Sequence, residues 1–344
     1  MKSFLKITAL SAAATLCLTA TPLQADLVVL QYHHVDDSTP RSTSTSPSLF
    51  RKQLKLVDQL GLEVAPLLPA TRAALKGEGP ESNQVAITFD DAYESVYHTA
   101  APLLAELSLP YTIFVNTEAV GSHGYMTWQQ LAKLKDTGLA TIANHSADHG
   151  HLARKPDESQ EHWKQRVTQS LDQAQSALNR KLNQAVPMFA YPYGEFDQAL
   201  EQKLADRDWL GFGQHSGAIG PYSHGTRLPR FPMADAYGQI KNLRDKLKSK
   251  AFPVPADELP DGVIDSNPPT LTFALGDELS RQRLTCFASG FGRIDIDVEG
   301  QQVSVQAPDA ISSRRFRYNC THPAGNGSYY WLSQQWLNLA APED

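Results

Sequence analysis

The sequence predicts an α/β domain followed by a small all-β domain. From Leu27 to about Lys250, short apolar segments typical of buried strands alternate with longer segments whose apolar residues recur at helical spacing. Such alternation indicates a mostly parallel sheet covered by helices, either a barrel or an open sheet. A stretch rich in Pro, Asp and Gly follows, and beyond it apolar and polar residues alternate between Gly and Asn turns. We therefore expect a domain over 26–250, a linker over 251–269 and a β-sandwich-like domain over 270–344.

The strands and helices of the first domain can be placed individually. Each predicted strand is a short, mainly apolar run that ends near a polar or turn residue: 27–30, 85–89, 111–115, 140–143, 188–191 and 210–213. Helical spacing predicts helices over 50–60, 93–107, 127–134 and 159–179, and a further helix that follows the strand 188–191 and ends at about residue 206. Ser48 and Thr127 are the predicted N-caps. In parallel α/β folds the chemistry lies at the C-terminal ends of the strands, where the polar clusters considered below are found.

The last domain carries four predicted strands and two of the three cysteines of the chain. The strands are 271–275, 293–298, 302–305 and 315–318. Cys286 and Cys320 predict one disulfide if the chain is exported, although two separate buried thiols would fit the same pattern. The aromatic residues 329–331 and Trp336 either pack in the sandwich core or form an exposed surface on which sugar rings stack.

Residues 1–25 predict a secretory signal, so we expect an exported protein, either periplasmic or secreted. Lys2 and Lys6 precede an apolar run that is too short to span a bilayer, and Ala25 ends a segment typical of a cleavage site. An uncleaved anchor is the alternative, and no other run is long enough to cross a membrane. The formal charge of −6 argues against a nucleic-acid partner, and the sequence does not indicate an oligomeric state.

Two short clusters predict a metal site. Asp90 and Asp91 stand side by side at a strand end, where their charges repel each other unless a cation lies near. His145 and His149 follow another strand end, and their spacing predicts one face of a helical turn on which both imidazoles reach one ion. One carboxylate and two imidazoles make an open three-ligand site with room for a water. These donors favour Zn, although Co, Ni or Fe would fit.

The second carboxylate predicts hydrolysis. Binding to such a metal lowers the pKa of water by up to roughly eight units, and a nearby carboxylate can accept the proton. Asp91 as ligand and Asp90 as base is therefore a coherent assignment, although the spacing alone does not fix their order. His151 competes with His149 as a ligand, but its spacing from His145 suits one face of a turn poorly.

Three motifs carry a resemblance to a known family. The segments Thr88–Asp91, His145–His149 and Ala190–Gly194 resemble, in order and separation, the first three motifs of the NodB-type polysaccharide deacetylases, carbohydrate esterase family 4. The resemblance covers roughly residues 26–250. The third motif and the segment Gln31–Val35 are similar to the branch of this family that deacetylates poly-β-1,6-N-acetylglucosamine.

The resemblance implies a fold, a reaction and a set of roles. The fold is an irregular (β/α) barrel, and the reaction is metal-dependent hydrolysis of an N-acetyl amide on a sugar, which releases acetate. Asp90 is implied as general base, while Asp91, His145 and His149 hold the metal. The backbone N–H of Tyr193 is implied as a donor to the oxyanion. An acetylated polysaccharide is the implied substrate, with a metal-activated water as the nucleophile.

Two departures from the family pattern leave parts of the mechanism open. The third motif often begins with an Arg that orients the base, and this position is Ala190. No clear Leu-x-His motif supplies the general acid, and we predict His215, which follows a predicted strand, as its replacement. A turn histidine with a structural hydrogen bond is the alternative for that position. His33, His34 and Arg230 are further candidates for contact with the site.

The function predicted from these observations is N-deacetylation of a β-linked N-acetylglucosamine-containing polysaccharide. A non-catalytic glycan-binding protein on the same scaffold is one alternative, because the Arg and the acid are missing, but the intact Asp90 argues against it. An O-acetyl polysaccharide esterase is the other alternative. Loss of acetate release in Asp90→Asn would separate an enzyme from a binder, and comparing N-acetylated with O-acetylated substrates would separate amide from ester hydrolysis.

Overall fold

A computed structural model describes residues 26–80 and 82–343, so the predicted secretory signal lies outside the described residues. The part of the chain before residue 250 contains the following strands: β1 (Leu27–Tyr32), β2 (His34–Val35), β3 (Ser44–Thr45), β4 (Glu63–Val64), β5 (Gln84–Asp90), β6 (Tyr111–Val115), β7 (Ala140–Asn144), β8 (Met188–Ala190), β9 (Leu210–Phe212), β10 (Ala218–Ile219) and β11 (Phe231–Pro232). All six strands predicted from the sequence are present. The two-residue strands were not predicted, because their pairing depends on distant parts of the chain.

The strand order explains how the sheet curls. β1, β5, β6, β7, β8 and β9 lie side by side and run parallel, with β4 beside β5 and the antiparallel β10 beside β1. Residues 228–232 connect the two ends of this path, because Leu228 pairs with Phe212 of β9 and Phe231 pairs with Leu30 of β1. The predicted irregular (β/α) barrel is confirmed, and its parallel strands direct their C-terminal ends to one side.

Helices pack against this sheet. Their bounds are α1 (Pro47–Gln59), α2 (Leu67–Lys76), α3 (Ala101–Glu106), α4 (Trp128–Asp136), α5 (Gln160–Leu182), α6 (Gln198–Ala205) and α7 (Ile240–Leu247). Thr127 caps α4 as predicted, whereas Ser46 rather than Ser48 caps α1. The helix predicted over 93–107 is present, since residues 94–106 are helical without a break, but a π-helical turn (Val96–Ala100) precedes α3. Pro102 has no N–H for an α-helical hydrogen bond, which favours the wider turn.

The remainder of the chain is an all-β region with its own core. Its strands are β12 (Lys250–Ala251), β13 (Thr270–Ala274), β14 (Thr285–Ala288), β15 (Gly292–Ile294), β16 (Ile296–Glu299), β17 (Gln302–Gln306), β18 (Arg315–Gly325) and β19 (Ser328–Leu337). They form one sheet in the order β12-β19-β18-β14-β15 and a second in the order β13-β17-β16. The strand predicted over 293–298 divides at Asp295, where the chain leaves the first sheet and joins the second. The predicted Cys286–Cys320 disulfide is confirmed, and it joins neighbouring strands β14 and β18.

The segment predicted as a linker over 251–269 is packed against the rest of the molecule. Phe252, Val254 and Leu259 are buried in the core of the all-β region. β12, which comes shortly after α7, pairs with β19 and so joins the barrel to the first sheet of the all-β region. The predicted domain boundaries remain predictions, but the two regions share an interface and not merely a flexible connection.

The aromatic residues near the C-terminus serve mainly in packing. Trp336 is 3% exposed in the core of the all-β region, and Trp331 meets Phe231 of the barrel edge-on with ring centres 5.2 Å apart. Of residues 329–331 and Trp336, Tyr329 is the one that is well exposed, at 40%. A single exposed ring does not make the alternative, a surface on which several sugar rings stack. Across residues 26–80 and 82–343, no helix combines the length and the hydrophobicity needed to cross a bilayer.

Candidate active site

Asp90 and Asp91 end β5 at the C-terminal side of the sheet. Asp90 is the last residue of the strand, and the backbone then enters the left-handed region at Asp91 (φ 71°) and Ala92 (φ 59°). Residues other than glycine adopt this conformation at an energetic cost, and such positions cluster at functional sites. The turn directs the two neighbouring carboxylates into different surroundings, described below; both are buried, Asp90 completely and Asp91 with 5% of its surface exposed.

A loop brings the two histidines to Asp91. Residues 145–149 follow β7 without helical structure, and the backbone is left-handed at Ser146 and His149, so the predicted helical turn is wrong. The Asn144 side-chain oxygen accepts a hydrogen bond from the Ser146 N–H, and Ser146 Oγ accepts one from the His149 N–H. Hydrogen bonds of this kind between short side chains and nearby backbone stabilise a compact turn in place of a helix.

The three predicted metal donors, Asp91, His145 and His149, lie together, and we call them the metal-donor cluster. Asp91 Oδ1 is 3.5 Å from His145 Nε2 and 3.2 Å from His149 Nε2. His145 Nδ1 lies 2.7 Å from the Ala190 carbonyl oxygen, which requires the proton on Nδ1 and leaves a lone pair on Nε2. Within the described part of the chain, neither Asp91 Oδ1 nor His145 Nε2 has a hydrogen-bond partner.

The metal-donor cluster fits a divalent metal. Two unpartnered acceptors that face each other repel, and a cation between them removes the repulsion. Burial raises the pKa of Asp91 to about 6; the charge of His33 opposes the rise, and the charge of Asp90 adds to it. Two ligands bound about 2.1 Å from zinc in tetrahedral geometry stand roughly 3.4 Å apart, which is close to the separations of Asp91 Oδ1 from the two Nε2 atoms. The His149 side chain is 23% exposed, so solvent reaches this end of the cluster.

Asp90 is bound by an arginine. Arg230 Nη1 and Nη2 donate to its two carboxylate oxygens at 2.7 and 2.8 Å, and Gln31 Nε2 donates to Oδ2 at 2.8 Å. Burial raises the pKa of Asp90, but the charge and hydrogen bonds of Arg230, together with the charges of His145 and His33, outweigh burial, so the pKa lies below the ordinary value of 3.8. Asp90 is therefore ionised at neutral pH although bulk solvent does not reach it.

Arg230 supplies the guanidinium group that is missing at Ala190. It lies in the segment that closes the barrel, where its Nε donates to the Gly213 carbonyl at 2.9 Å and its backbone N–H donates to the His215 carbonyl. The sequence did not reveal its pairing with Asp90 because 140 residues separate the two. A basic residue inside a short apolar run was the available signal, and it is compatible with many pairings.

His33 and His34, which follow the end of β1, have different surroundings. His34 stacks on Tyr93 with ring centres 3.7 Å apart, and burial lowers the pKa of His34 to about 4. The charge of His33 favours the ionised forms of both Asp90 and Asp91, so His33 lies near both carboxylates. His33 is also partly exposed. His34 is therefore a packing residue, whereas His33 borders the site.

His215, the predicted acid, lies at a cavity between the barrel and the all-β region. This cavity has a volume of about 60 Å³, and Phe196 and Trp331 are among its other lining residues. Burial lowers the pKa of His215 to about 3, and the charges of Arg317 and Arg227 add to the effect. In the described chain its ring packs near Phe196, and it does not belong to the metal-donor cluster. Its role as an acid stays a prediction.

The third motif forms a tight turn beside His149. Residues 192–194 form one 3₁₀ turn in which Tyr193 has a left-handed backbone (φ 57°). The Tyr193 ring stacks on His151 with centres 4.0 Å apart and planes 3° apart, and it meets the His149 ring at 4.6 Å. His151 Nδ1 lies 3.0 Å from Glu195, and the metal-donor cluster contains His149 and not His151. The role of the Tyr193 N–H stays a prediction.

Known proteins share this domain. Residues 77–208 match the family model for polysaccharide deacetylases. A poly-β-1,6-N-acetyl-D-glucosamine N-deacetylase of Staphylococcus aureus is 25% identical over 203 residues, which covers 57% of this chain and 69% of the relative. The solved structure of IcaB from Ammonifex degensii is 27% identical, has a TM-score of 0.53, and is matched over 61% of this chain and 93% of its own. The Streptococcus pyogenes deacetylase PplD, solved with acetate, shares the fold with a TM-score of 0.57 and 24% identity over 65% of this chain and 99% of its own.

A curled parallel sheet with a carboxylate pair and an Asp–His–His cluster at its C-terminal ends defines a deacetylase of the hydrolase class. The matched domain contains the residues on which the resemblance was based, namely Asp90, Asp91, His145, His149 and Tyr193. Residues 77–208 therefore form a polysaccharide deacetylase domain, and the relatives and solved structures support the resemblance to the NodB-type polysaccharide deacetylases, carbohydrate esterase family 4.

Proposed function

We propose that this protein removes N-acetyl groups from a β-linked N-acetylglucosamine polysaccharide by metal-dependent hydrolysis. The observation that carries the proposal is the facing pair of unpartnered acceptors, Asp91 Oδ1 and His145 Nε2, next to the buried, ionised Asp90. A protein that only binds glycan gains nothing from this combination, because unpartnered acceptors and buried charge both reduce stability. The name of the S. aureus relative supports poly-β-1,6-N-acetylglucosamine as the first substrate to test.

The metal-donor cluster would hold the metal through Asp91 Oδ1 and the Nε2 atoms of both histidines. Zn is the metal that this donor set favours, and Co, Ni or Fe are alternatives. When bound, the metal would lower the pKa of water and polarise the acetyl carbonyl as a Lewis acid. The Ala190 carbonyl supports this role because it keeps the His145 proton on Nδ1 and the Nε2 lone pair available.

Asp90 would act as the base. Arg230 and Gln31 donate three hydrogen bonds to its carboxylate, which leaves acceptor capacity on Oδ1 for a proton from water. The same bonds hold the carboxylate in one orientation. The lowered pKa makes Asp90 a weak base. A weak base would be sufficient, because the metal would already have lowered the pKa of the water. The Tyr193 N–H would donate to the oxyanion that forms on the acetyl oxygen.

The leaving amine needs a general acid, and two histidines are candidates. A general acid must carry a proton that it can release at the working pH. Burial lowers the pKa of His215 to about 3, so its ring is uncharged at neutral pH. His33 is partly exposed and lies near Asp90 and Asp91, whose ionised forms its charge favours. We therefore propose His33 as the acid, ahead of His215.

Single variants separate these two candidates. We expect His33→Ala to reduce kcat by about 10²–10⁴-fold, the usual contribution of a general acid. We expect His215→Ala to reduce kcat less than tenfold. His123→Ala is the control, because His123 is exposed and outside the site. A large loss in His215→Ala with a small one in His33→Ala would reverse the assignment.

We also propose that the protein is exported to the periplasm or beyond the cell. The Cys286–Cys320 disulfide is typical of proteins in oxidising compartments, and the sequence of residues 1–25 is typical of a secretory signal. Fractionation followed by N-terminal sequencing should find a processed chain beginning near Asp26. A full-length, reduced chain that stays inside the cell would contradict this proposal.

Acetate release tests the proposed activity directly. The metal-loaded protein is incubated with β-1,6-linked N-acetylglucosamine oligomers, chitin oligomers, peptidoglycan and an O-acetylated polysaccharide, each with and without chelator. We expect chelator-sensitive acetate release from an N-acetylated glycan, with the β-1,6-linked oligomers preferred. Release from the O-acetylated substrate alone would make the protein an esterase. No release from any of the four would contradict the proposed function.

A further inference from the structure

The all-β region reaches the loop beside the metal-donor cluster through two arginines. Arg314 Nε and Nη2 donate to the Glu195 carboxylate at 2.8 and 3.1 Å, and Arg315 Nη1 donates to it at 2.9 Å. His151 Nδ1 lies 3.0 Å from the same carboxylate. We call these four residues the Glu195 cluster. Glu195 and His151 belong to the barrel, whereas both arginines come from the start of β18 and the residue before it.

The barrel does not balance the charge of Glu195 by itself. Burial raises the pKa of Glu195, but hydrogen bonds from Arg314, His151 and Arg315 outweigh burial and lower it. The two permanent positive charges among these partners come from the all-β region. A fully buried carboxylate that loses its cations is strongly destabilised, so the group and its loop would move towards solvent. The position of this loop therefore depends on the all-β region.

The Tyr193 ring connects the Glu195 cluster to a metal donor. The Arg315 guanidinium lies 5.2 Å from the centre of the ring, and the His151 imidazole stacks on it in parallel at 4.0 Å. The same ring meets the imidazole of His149 at 4.6 Å. Aromatic and cation–π contacts at these distances fix the relative positions of the groups that make them.

From this geometry we infer that Arg314 and Arg315 are positioning residues for the metal-donor cluster, acting through Glu195 and the Tyr193 ring. The all-β region is then a working part of the active site. The matched family domain ends at residue 208, so it contains neither arginine. This inference rests on the proposed metal-dependent function, and its test is a measurement of metal binding that needs no substrate.

Arg315→Ala is the first variant, because Arg315 is partly exposed and its removal leaves Arg314 in place. Zn²⁺ affinity is measured by competition with a chromophoric chelator, and the coordination geometry by the visible absorption of the Co²⁺-loaded protein. Changes in residues that support metal ligands typically weaken metal binding by about 10–100-fold. We expect Zn²⁺ affinity to fall about tenfold, the Co²⁺ spectrum to change, and kcat to fall with little change in KM.

A double-variant cycle tests the route through Glu195. Glu195→Gln should weaken Zn²⁺ binding to a similar extent, and the combined variant Arg315→Ala with Glu195→Gln should lose little more than either alone, because the two residues act as one unit. Arg315→Lys should restore part of the affinity, since it keeps the charge beside Glu195 but not the planar group over Tyr193. Arg293→Ala is the control, because Arg293 is exposed on β15 of the same sheet.

Wild-type Zn²⁺ affinity and an unchanged Co²⁺ spectrum in both Arg315→Ala and Glu195→Gln would overturn the inference. An equal loss in Arg293→Ala would also overturn it, because the effect would then be general. If Arg315→Ala does not fold, Arg315→Lys decides: an intermediate loss supports the inference, and wild-type affinity refutes it. If the wild-type protein binds Zn²⁺ but releases no acetate, the proposed function fails while the metal measurements still decide this inference.

Discussion

The metal-donor cluster and the Glu195 cluster are two buried groups of charge that are balanced in different ways. Both oxygens of the Glu195 carboxylate meet donors that this chain supplies. Asp91 Oδ1 instead faces two imidazole nitrogens and has no donor among the described residues. The Glu195 cluster is thus electrostatically complete within the protein, whereas the metal-donor cluster leaves acceptors without partners, as a cation site would. The buried charge of the Glu195 cluster therefore stabilises the structure, whereas that of the metal-donor cluster is available to bind a cation.

Removing a metal donor should have the largest effect on activity. Asp91→Ala and His145→Ala each delete an atom that would bind the metal, so we expect a loss of deacetylase activity of roughly 10³-fold or more. Zn²⁺ affinity should fall by more than the roughly 100-fold that loss of an outer partner produces. Equilibrium dialysis and acetate release measure the two effects. His123→Ala is the control, and wild-type Zn²⁺ affinity in Asp91→Ala would remove the basis of the comparison.

Asp90→Asn should be nearly as damaging to activity without affecting the metal. The amide cannot accept a proton from water, so we expect kcat to fall by about 10²–10³-fold. Asp90 is bound by Arg230 and Gln31 and lies outside the metal-donor cluster, so Zn²⁺ affinity should stay within about threefold of the wild type. Metal titration and acetate release on the same preparation separate the two properties. A loss of metal together with activity would mean that Asp90 is a ligand.

Arg230→Met should show how strongly the charge and the pKa of Asp90 depend on Arg230. An unpaired buried carboxylate destabilises a fold by about 3–5 kcal/mol, so denaturant unfolding should show a loss of this size. The acid limb of the kcat/KM profile should move to higher pH, because burial raises the pKa of Asp90 once the opposing charge is gone.

A matched pair of controls belongs to the Arg230 experiment. Arg227 also pairs with a buried carboxylate, that of Glu201, so Arg227→Met should lower stability without moving the acid limb. The double variant Arg230→Met with Asp90→Asn should recover part of the lost stability, because no unpaired charge remains. An unchanged acid limb in Arg230→Met would show that Asp90 is not the group titrating there.

The smallest effect is expected for Asp91→Asn in the metal-free protein. Here the substitution should raise the free energy of unfolding, whereas the other variants should lower it or reduce activity. Burial raises the pKa of Asp91 from 3.8 to about 6, so the folded state binds a proton more tightly than the unfolded state does. Ionisation of Asp91 therefore removes stability as the pH rises from 3.8 towards 6, and Asp91→Asn should be more stable than the metal-free wild type above that range, by about 3 kcal/mol.

Urea unfolding at pH 3.5 and pH 7, in the presence of chelator, measures this difference, which should vanish at the lower pH. Added Zn²⁺ should stabilise the wild type and have little effect on Asp91→Asn. Glu195→Gln is the natural comparison, because it removes a balanced charge and should destabilise the fold. Equal behaviour of the two variants would show that the two clusters are balanced alike.

The local parts of the fold and of the site could be predicted from the sequence. Asp90 and Asp91 follow an unmistakably apolar strand, and His145 follows the end of another, so the rule for parallel sheets places them on the same side of the barrel. Most regular strands and amphipathic helices follow from spacing within about twenty residues, but α2 and α7 were not predicted, and β18 extends to Gly325, beyond its predicted end at residue 318. The turn that holds His149 was predicted as helical because spacing does not reveal left-handed backbone at Ser146.

The distant parts could not be predicted. The pairing of Arg230 with Asp90 and that of Arg315 with Glu195 join residues 140 and 120 positions apart, and each depends on how the sheet closes or on how the all-β region docks. The same reason explains why β12 was not predicted, since its pairing with β19 and not a local pattern defines this two-residue strand. The position of His215 after a strand predicts it as the acid, but a strand position does not show that the residue is buried near the charges of two arginines.

The segment over residues 228–232 closes the barrel and also carries Arg230. All three members of the metal-donor cluster come earlier in the chain, after β5 and β7, whereas Arg230, the partner of the proposed base, comes after them. A truncated chain that ended before residue 226 would contain every metal donor and yet leave Asp90 without its guanidinium. Such a chain would also lack Arg314 and Arg315, so the last third of the chain supplies both the partner of the proposed base and the arginines inferred to position the metal donors.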